Sequence, residues 1–160
     1  MPLPDDLLKQ AFELALKEPR KPKQASLRRA ISAAYYALFH LLTEAGARRL
    51  SPRPNTVPSV RRAFGHAEMR EVCASLTGLE SRYKIKFPAE ITQVGQSFVE
   101  LQDARNKAEY DYQRLVTRAA TLVRCEKARI ALDQWRVVKN KPEARIFLWE
   151  LLIGRKLRRG

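Results

Sequence analysis

The residues best suited to chemistry lie close together in "LQDARNKAEYDY", residues 101–112. Arg105 offers a planar fork of donors that fits an oxyanion, and Asn106 adds an amide. Tyr110, Asp111 and Tyr112 add two phenols and a carboxylate. Read as a helix, Val94, Phe98, Leu101, Arg105, Ala108 and Tyr112 fall on one face at alternating spacings of four and three. That is the apolar stripe of a buried helix. A guanidinium on such a stripe needs a carboxylate or a phosphate, because an unpaired buried charge is costly. Glu126, Asp103 and Glu109 are the internal candidates, and a phosphate in a cleft is the external one.

A second row comes from "AISAAYYALFHLL", residues 30–42, which holds no side chain charged at neutral pH apart from His40. Leu27, Ile31, Ala34, Leu38, Leu42 and Ala45 form one apolar face, and Ser32, Tyr36 and His40 line up at i, i+4 and i+8 on nearly the opposite side. A helix that is apolar or aromatic almost all round packs on more than one side, here in its own bundle and against a second subunit. His40 is either a hydrogen-bonded buried histidine or a cleft residue. With His66 the sole other histidine and no Cys/His cluster, neither a structural zinc site nor any other metal or cofactor is expected.

Proline marks the elements that must position these rows. It occurs at 19 and 22, at 52, 54 and 58, at 88 and at 142, and leaves three long proline-free runs. The pattern predicts helices over about 5–18, 23–45 (ending near Gly46), 58–64, 67–77, 89–109, 114–138 and 143–153. Asp5 and Asp6 sit at the positive end of the first, and Asp111 is the expected cap of the helix from 114. "TGLESRYKIKFP" reads as a connector in which "YKIKF" alternates like an extended piece. The expected fold is all-α: an up-and-down bundle of four to five helices over residues 1–141, followed at 142–160 by a short apolar helix and a basic tail. That tail, "RIFLWELLIGRKLRRG", is too short in its apolar run to span a bilayer. It is expected to dock on its own bundle or on a partner, the alternative being a membrane surface.

The chain carries 31 basic and 17 acidic residues, a net charge of +14. Residues 20–29 and 48–62 each hold five basic and no acidic residues, and 139–160 hold seven and two. These segments contain the whole excess, as a polyanion-binding surface would. Arg28, Arg29, Arg61, Arg62, Arg155 and Lys156 are their candidate RNA contacts. Cys73 and Cys125 both fall in helical patterns and are expected as buried free thiols. The N-terminal residues lack the pattern of a signal peptide, and a reduced cytoplasmic setting is expected.

"SLRRAISAAYYALFHLL", followed some sixty residues later by "LQDARNKAEYDY", resembles the HEPN superfamily over about residues 23–138. Members are small helical bundles with a tyrosine-rich central helix and, on a later helix, Arg, a polar residue, and His after four to six intervening residues. "AEYDY" is also similar to the Ala-Asp-Tyr-Asp of many bacterial members. The resemblance implies a dimeric, metal-independent endoribonuclease of a toxin–antitoxin or defence system. Alternatively it implies a silent relative that binds RNA or nucleotide, or pairs with a separately encoded nucleotidyltransferase. Arg105 would stabilise charge on the phosphate and Asn106 would position the substrate or hold the cleft, while Ser32, Tyr36, His40 and Asp111 are the candidate cleft. The histidine position is held by Tyr110, or by Tyr112 at the longer spacing. Tyrosine donates a proton at neutral pH but is a poor base, so the departure bears on catalysis rather than on fold. On a straight helix Arg105 and Tyr110 point about 140° apart, so a break near Glu109 or a dimer is needed to join them. Tyr112 also matches the tyrosine that nucleotidyltransferases modify in some toxin members. His40 and His66 are the remaining histidines that can enter the cleft.

Overall fold

Helix starts follow the prolines. In the computed structural model, which describes residues 2–159, α1 (Leu3–Ala15), α3 (Val57–Ala63) and α8 (Pro142–Trp149) each carry proline in the first turn. There the missing N–H has no intrahelical partner to lose. Pro88 stands immediately before α6 (Ala89–Tyr110). The remaining helices are α2 (Gln24–Leu50), α4 (His66–Cys73), α5 (Leu76–Tyr83) and α7 (Arg118–Val138). A π-helical turn (Glu150–Gly154) continues α8 into α9 (Arg155–Arg159). No strand occurs among the described residues.

Four of these helices, α1, α2, α6 and α7, pack together and alternate in direction. Near one end of α1 Arg136 bonds Asp5 at 2.7 Å, and near the other Arg118 reaches the carbonyls of Ala15 (3.0 Å) and Glu18. α1 therefore opposes α7. Contacts of Gln24 with Val116 and of Arg49 with Lys139 set α2 parallel to α7. Lys127–Glu100 and Arg28–Ala108 set α6 against both. The short helices α3 to α5 fill the excursion between α2 and α6. The core holds Tyr35, Leu38, Phe98, Leu132 and Trp135, all essentially fully buried.

The chain from 142 joins that same core. Phe147, Leu148 and Leu151 are buried, and the Phe147 ring lies 6.0 Å from Trp135 and 6.4 Å from Phe87. The apolar tail thus docks on the bundle, as its composition suggested. No helix among the described residues is long and apolar enough to cross a membrane. Cys73 and Cys125 are buried free thiols, and burial pushes both upward, Cys125 to about 11.

Four local expectations change. Helix α2 does not stop at Gly46 but runs to Leu50. A Cβ at Gly46 would overlap the Phe64 ring, so this glycine allows close packing rather than a helix end. "TGLESRY" is helical, and Lys84 closes it at φ 55. The Glu80 carbonyl then takes the Ile85 amide at 3.1 Å and its carboxylate takes the Phe87 amide at 2.7 Å. The alternation of "YKIKF" therefore comes from a capped helix end, with no neighbouring strand to bond it. Helix α7 starts at Arg118 because Thr117, not Asp111, accepts an amide of its first turn (Ala120, 3.1 Å). Asp111 instead closes a turn onto the Gln113 amide at 3.2 Å. Helix α1 ends at Ala15, three residues early, where Arg118 covers its last carbonyls.

Candidate functional site

The antiparallel packing of α2 on α6 brings the two candidate rows together. The row Ala25, Arg29, Ser32 and Tyr36 on α2 floors a groove of about 620 Å³, with α1 on one side and the end of α6 on the other. One turn further along α2, His40 and Glu44 line a second hollow of about 670 Å³ with Arg48 and Arg61.

Arg105 lies next to two residues that line the first groove, Glu109 and Tyr36. Its Nε donates to Glu109 Oε1 at 3.1 Å, and Ser32 Oγ donates to the same oxygen at 3.1 Å. The guanidinium carbon lies 5.1 Å from the centre of the Tyr36 ring and 5.5 Å from that of Tyr35. Both rings present π density to the cation. Burial works against the charge, but the Glu109 bond and the tyrosine oxygens outweigh it and hold the pKa above the ordinary arginine value. Of the three internal carboxylates considered, Glu109 is the partner; Asp103 pairs with Arg70 and Glu126 with Arg129.

Behind this pair lies a histidine from another element. His66 opens α4, and its Nδ1 lies 2.6 Å from the Tyr35 hydroxyl. Its ring stacks on Phe39 at 4.1 Å and 11°, and meets Tyr36 edge-on at 6.0 Å. Gln102 Nε2 donates to the His66 carbonyl at 3.1 Å and, at 3.4 Å, to the Tyr35 oxygen. Gln102 Oε1 accepts from Arg70, which is itself held by Asp103 at 2.6 Å. Burial, then the charges of Arg105 and His40, hold His66 below its ordinary value; burial and Arg61 do the same to His40. Both imidazoles are therefore neutral at pH 7. Burial pushes the Tyr35 phenol well above the ordinary tyrosine value, so it remains a donor.

Ser32, Tyr36 and Glu109 thus line the first groove, His40 lines the second, and Arg105 sits beside Tyr36 and Glu109. Tyr110 and Tyr112 stand on the rim of the groove, 75 % and 73 % exposed. Tyr112 lies beyond the end of α6 and so is no part of the core; the Arg28 guanidinium covers its ring at 5.4 Å. Asn106 is exposed on the neighbouring face, and Asp111 is bound up in its turn. Among the basic candidates, Arg29 is exposed in the groove, and Arg62 and Lys156 are exposed elsewhere. Arg28 donates to the carbonyls of Ala108, Asp111 and Arg114, which clamps the end of α6. Arg61 pairs with Glu44, and Arg155 with Glu71 and Glu68. Tyr35 and Gln102 were not legible as site residues. Each occupies a buried register position that looks like core, and only the approach of α4 gives their polar atoms partners.

No protein-family model, no curated protein and no solved structure matches this chain.

Proposed function

We propose that this chain is a HEPN-like RNA-acting protein in which Arg105 holds a phosphate of the RNA. One observation carries the reading. Glu109 engages only Nε of Arg105, while the two terminal nitrogens have no partner among the described residues and are not sealed from solvent. A guanidinium half-buried against two tyrosine rings, with two donors left over, suits bidentate contact with a phosphate. The exposed Arg29, in the groove that Tyr36 and Glu109 line, supplies further positive charge. The leading form of the proposal is a metal-independent endoribonuclease of a toxin–antitoxin or defence system, acting in the cytoplasm as a homodimer. The half-exposed row Tyr36, Phe39 and His40 supports the dimer, since it offers aromatic surface beside Arg105. Cleavage would follow attack of a ribose 2′-oxygen on the adjacent phosphorus, with the 5′-oxygen leaving as a hydroxyl.

A second reading has a specific support. Tyr110 projects into solvent where the resemblance expects histidine, and Tyr112 is open to a partner enzyme. This favours a silent module that binds RNA or nucleotide, or that pairs with a nucleotidyltransferase. Incubating the purified protein with total RNA and tRNA in EDTA, beside Arg105→Ala, decides between the two. Fragments ending in cyclic phosphate, lost at least 100-fold in the variant, establish the nuclease. Intact RNA that still binds wild type, with binding that falls steeply as salt rises, establishes the module. Absence of binding overturns both.

A further inference from the structure

The hydrogen bonds around His66 determine which of its nitrogens carries the proton. Arg70 has only donors to offer, so the atom of Gln102 that faces it is the amide oxygen. The Gln102 amide nitrogen is thereby turned toward the His66 carbonyl and the Tyr35 oxygen. Tyr35 has a single proton. Since its oxygen accepts from Gln102, that proton goes to the remaining partner, Nδ1 of His66 at 2.6 Å. A neutral imidazole that accepts at Nδ1 carries its hydrogen at Nε2. Nε2 has no partner among the described residues and is not sealed from solvent. The Phe39 stack and the Tyr35 bond fix the plane and the rotation of the ring. The result is a single preorganised N–H donor left without a partner among the described residues.

Its place is next to Arg105. The Tyr36 ring has the guanidinium at 5.1 Å and the His66 ring at 6.0 Å, so the two groups flank one half-exposed aromatic platform. Resting on the RNA reading above, we propose that His66, delivered by α4, completes the Arg105 site as a second donor to the phosphodiester backbone of a single strand. Tyr36 is the surface between them, and Arg70, Gln102 and Tyr35 are positioning residues that aim Nε2–H. A phosphate oxygen is the matching ligand because it accepts from a neutral donor and from a guanidinium alike, without a change of protonation. A base edge or a peptide carbonyl would use Nε2–H but leave the two terminal nitrogens of Arg105 without an anion. The site is thus assembled from α2, α4 and α6, although "LQDARNKAEYDY" lacks the histidine.

Histidine-labelled protein and a 2′-O-methyl oligoribonucleotide, which cannot be cleaved by 2′-oxygen attack, provide the test. In the free protein the imidazole nitrogen spectrum of His66 is expected to show the Nε2–H tautomer, and Tyr35→Phe to convert it to a tautomer mixture. The oligonucleotide is expected to move the Nε2–H signal, and His66→Ala to weaken binding about 10-fold at unchanged helical content. Tight binding that leaves Nε2–H unmoved, or that His66→Ala does not weaken, overturns the inference while the RNA reading stands. Should His66→Ala fail to fold, the wild-type Nε2–H signal alone decides. Wild type that binds no oligonucleotide overturns the RNA reading and this inference together.

Discussion

Two arginine–glutamate pairs in this molecule use the same parts to opposite ends. At the groove, Arg105 meets Glu109, and the Ser32 hydroxyl donates to the same carboxylate. At the C-terminus, Arg158 meets Glu150 at 2.8 Å, and the Tyr83 hydroxyl donates to it at 2.6 Å. The difference is burial. The Glu109 side chain is 29 % exposed and lines the groove, whereas Glu150 is 2 % exposed at the start of the π-helical turn. A sealed carboxylate must have its partners, so the Glu150 pair works as a latch that ties the tail to α5 and the core. A half-open pair can exchange a partner for a ligand, and that is what a binding site requires. Arg155, pairing with Glu68 and Glu71 of α4, extends the latch and takes one of the tail's basic groups out of the free cationic surface.

The sharpest way to break this comparison is to remove each carboxylate in turn. Glu150→Ala leaves the Tyr83 hydroxyl and the Arg158 guanidinium without their shared acceptor and is expected to cost about 3 kcal/mol in urea unfolding. Glu109→Gln is expected to cost less than about 1 kcal/mol, as half-exposed pairs do. On the proposed RNA reading it should also tighten oligonucleotide binding about threefold by removing a negative charge beside Arg105. Equal losses of stability would end the distinction between latch and site.

Gly154 gives an effect between those two. A Cβ there would overlap the Glu150 carboxylate, which can move only by leaving Tyr83 and Arg158. Gly154→Ala is therefore expected to cost about 1–3 kcal/mol by thermal unfolding, and a neutral outcome would show a looser latch. Alkaline pH gives a separate effect. Burial and the Glu150 bond raise the Tyr83 phenol from its ordinary value of 10.0 to about 12. Its folded pKa lies above the unfolded one, so this contribution is complete below about pH 10 and lost as pH rises toward 12. Tyr83→Phe should flatten that part of the stability–pH curve, and an unchanged slope would remove Tyr83 from the latch.

Much of the frame was legible because it depends on local rules. The prolines at 58, 88 and 142 fall at or just before helix starts, as fixed φ and a missing N–H require. The paired rows Ser32–Tyr36–His40 and Leu101–Arg105–Ala108 were visible as helical spacings. Gly46 and "YKIKF" were misread because their explanation lies in specific partners that spacing does not reveal, the Phe64 ring at the end of α3 for one and the nearby Glu80 cap for the other. The engagement of Arg28 by three backbone carbonyls at and beyond the end of α6 was likewise not visible in the sequence.

By itself the sequence determined an all-α chain, the helices that carry Arg105 and Tyr36, and the three basic segments, since periodicity, proline and charge act within a few residues. Only the tertiary structure decided that Glu109 takes Nε of Arg105, that α4 brings His66 to the Tyr35 hydroxyl, and that Glu150 is buried at the start of its own turn. Each of these depends on which side chains lose water together. That is settled by how helices pack, and the spacing of residues along one of them does not contain it.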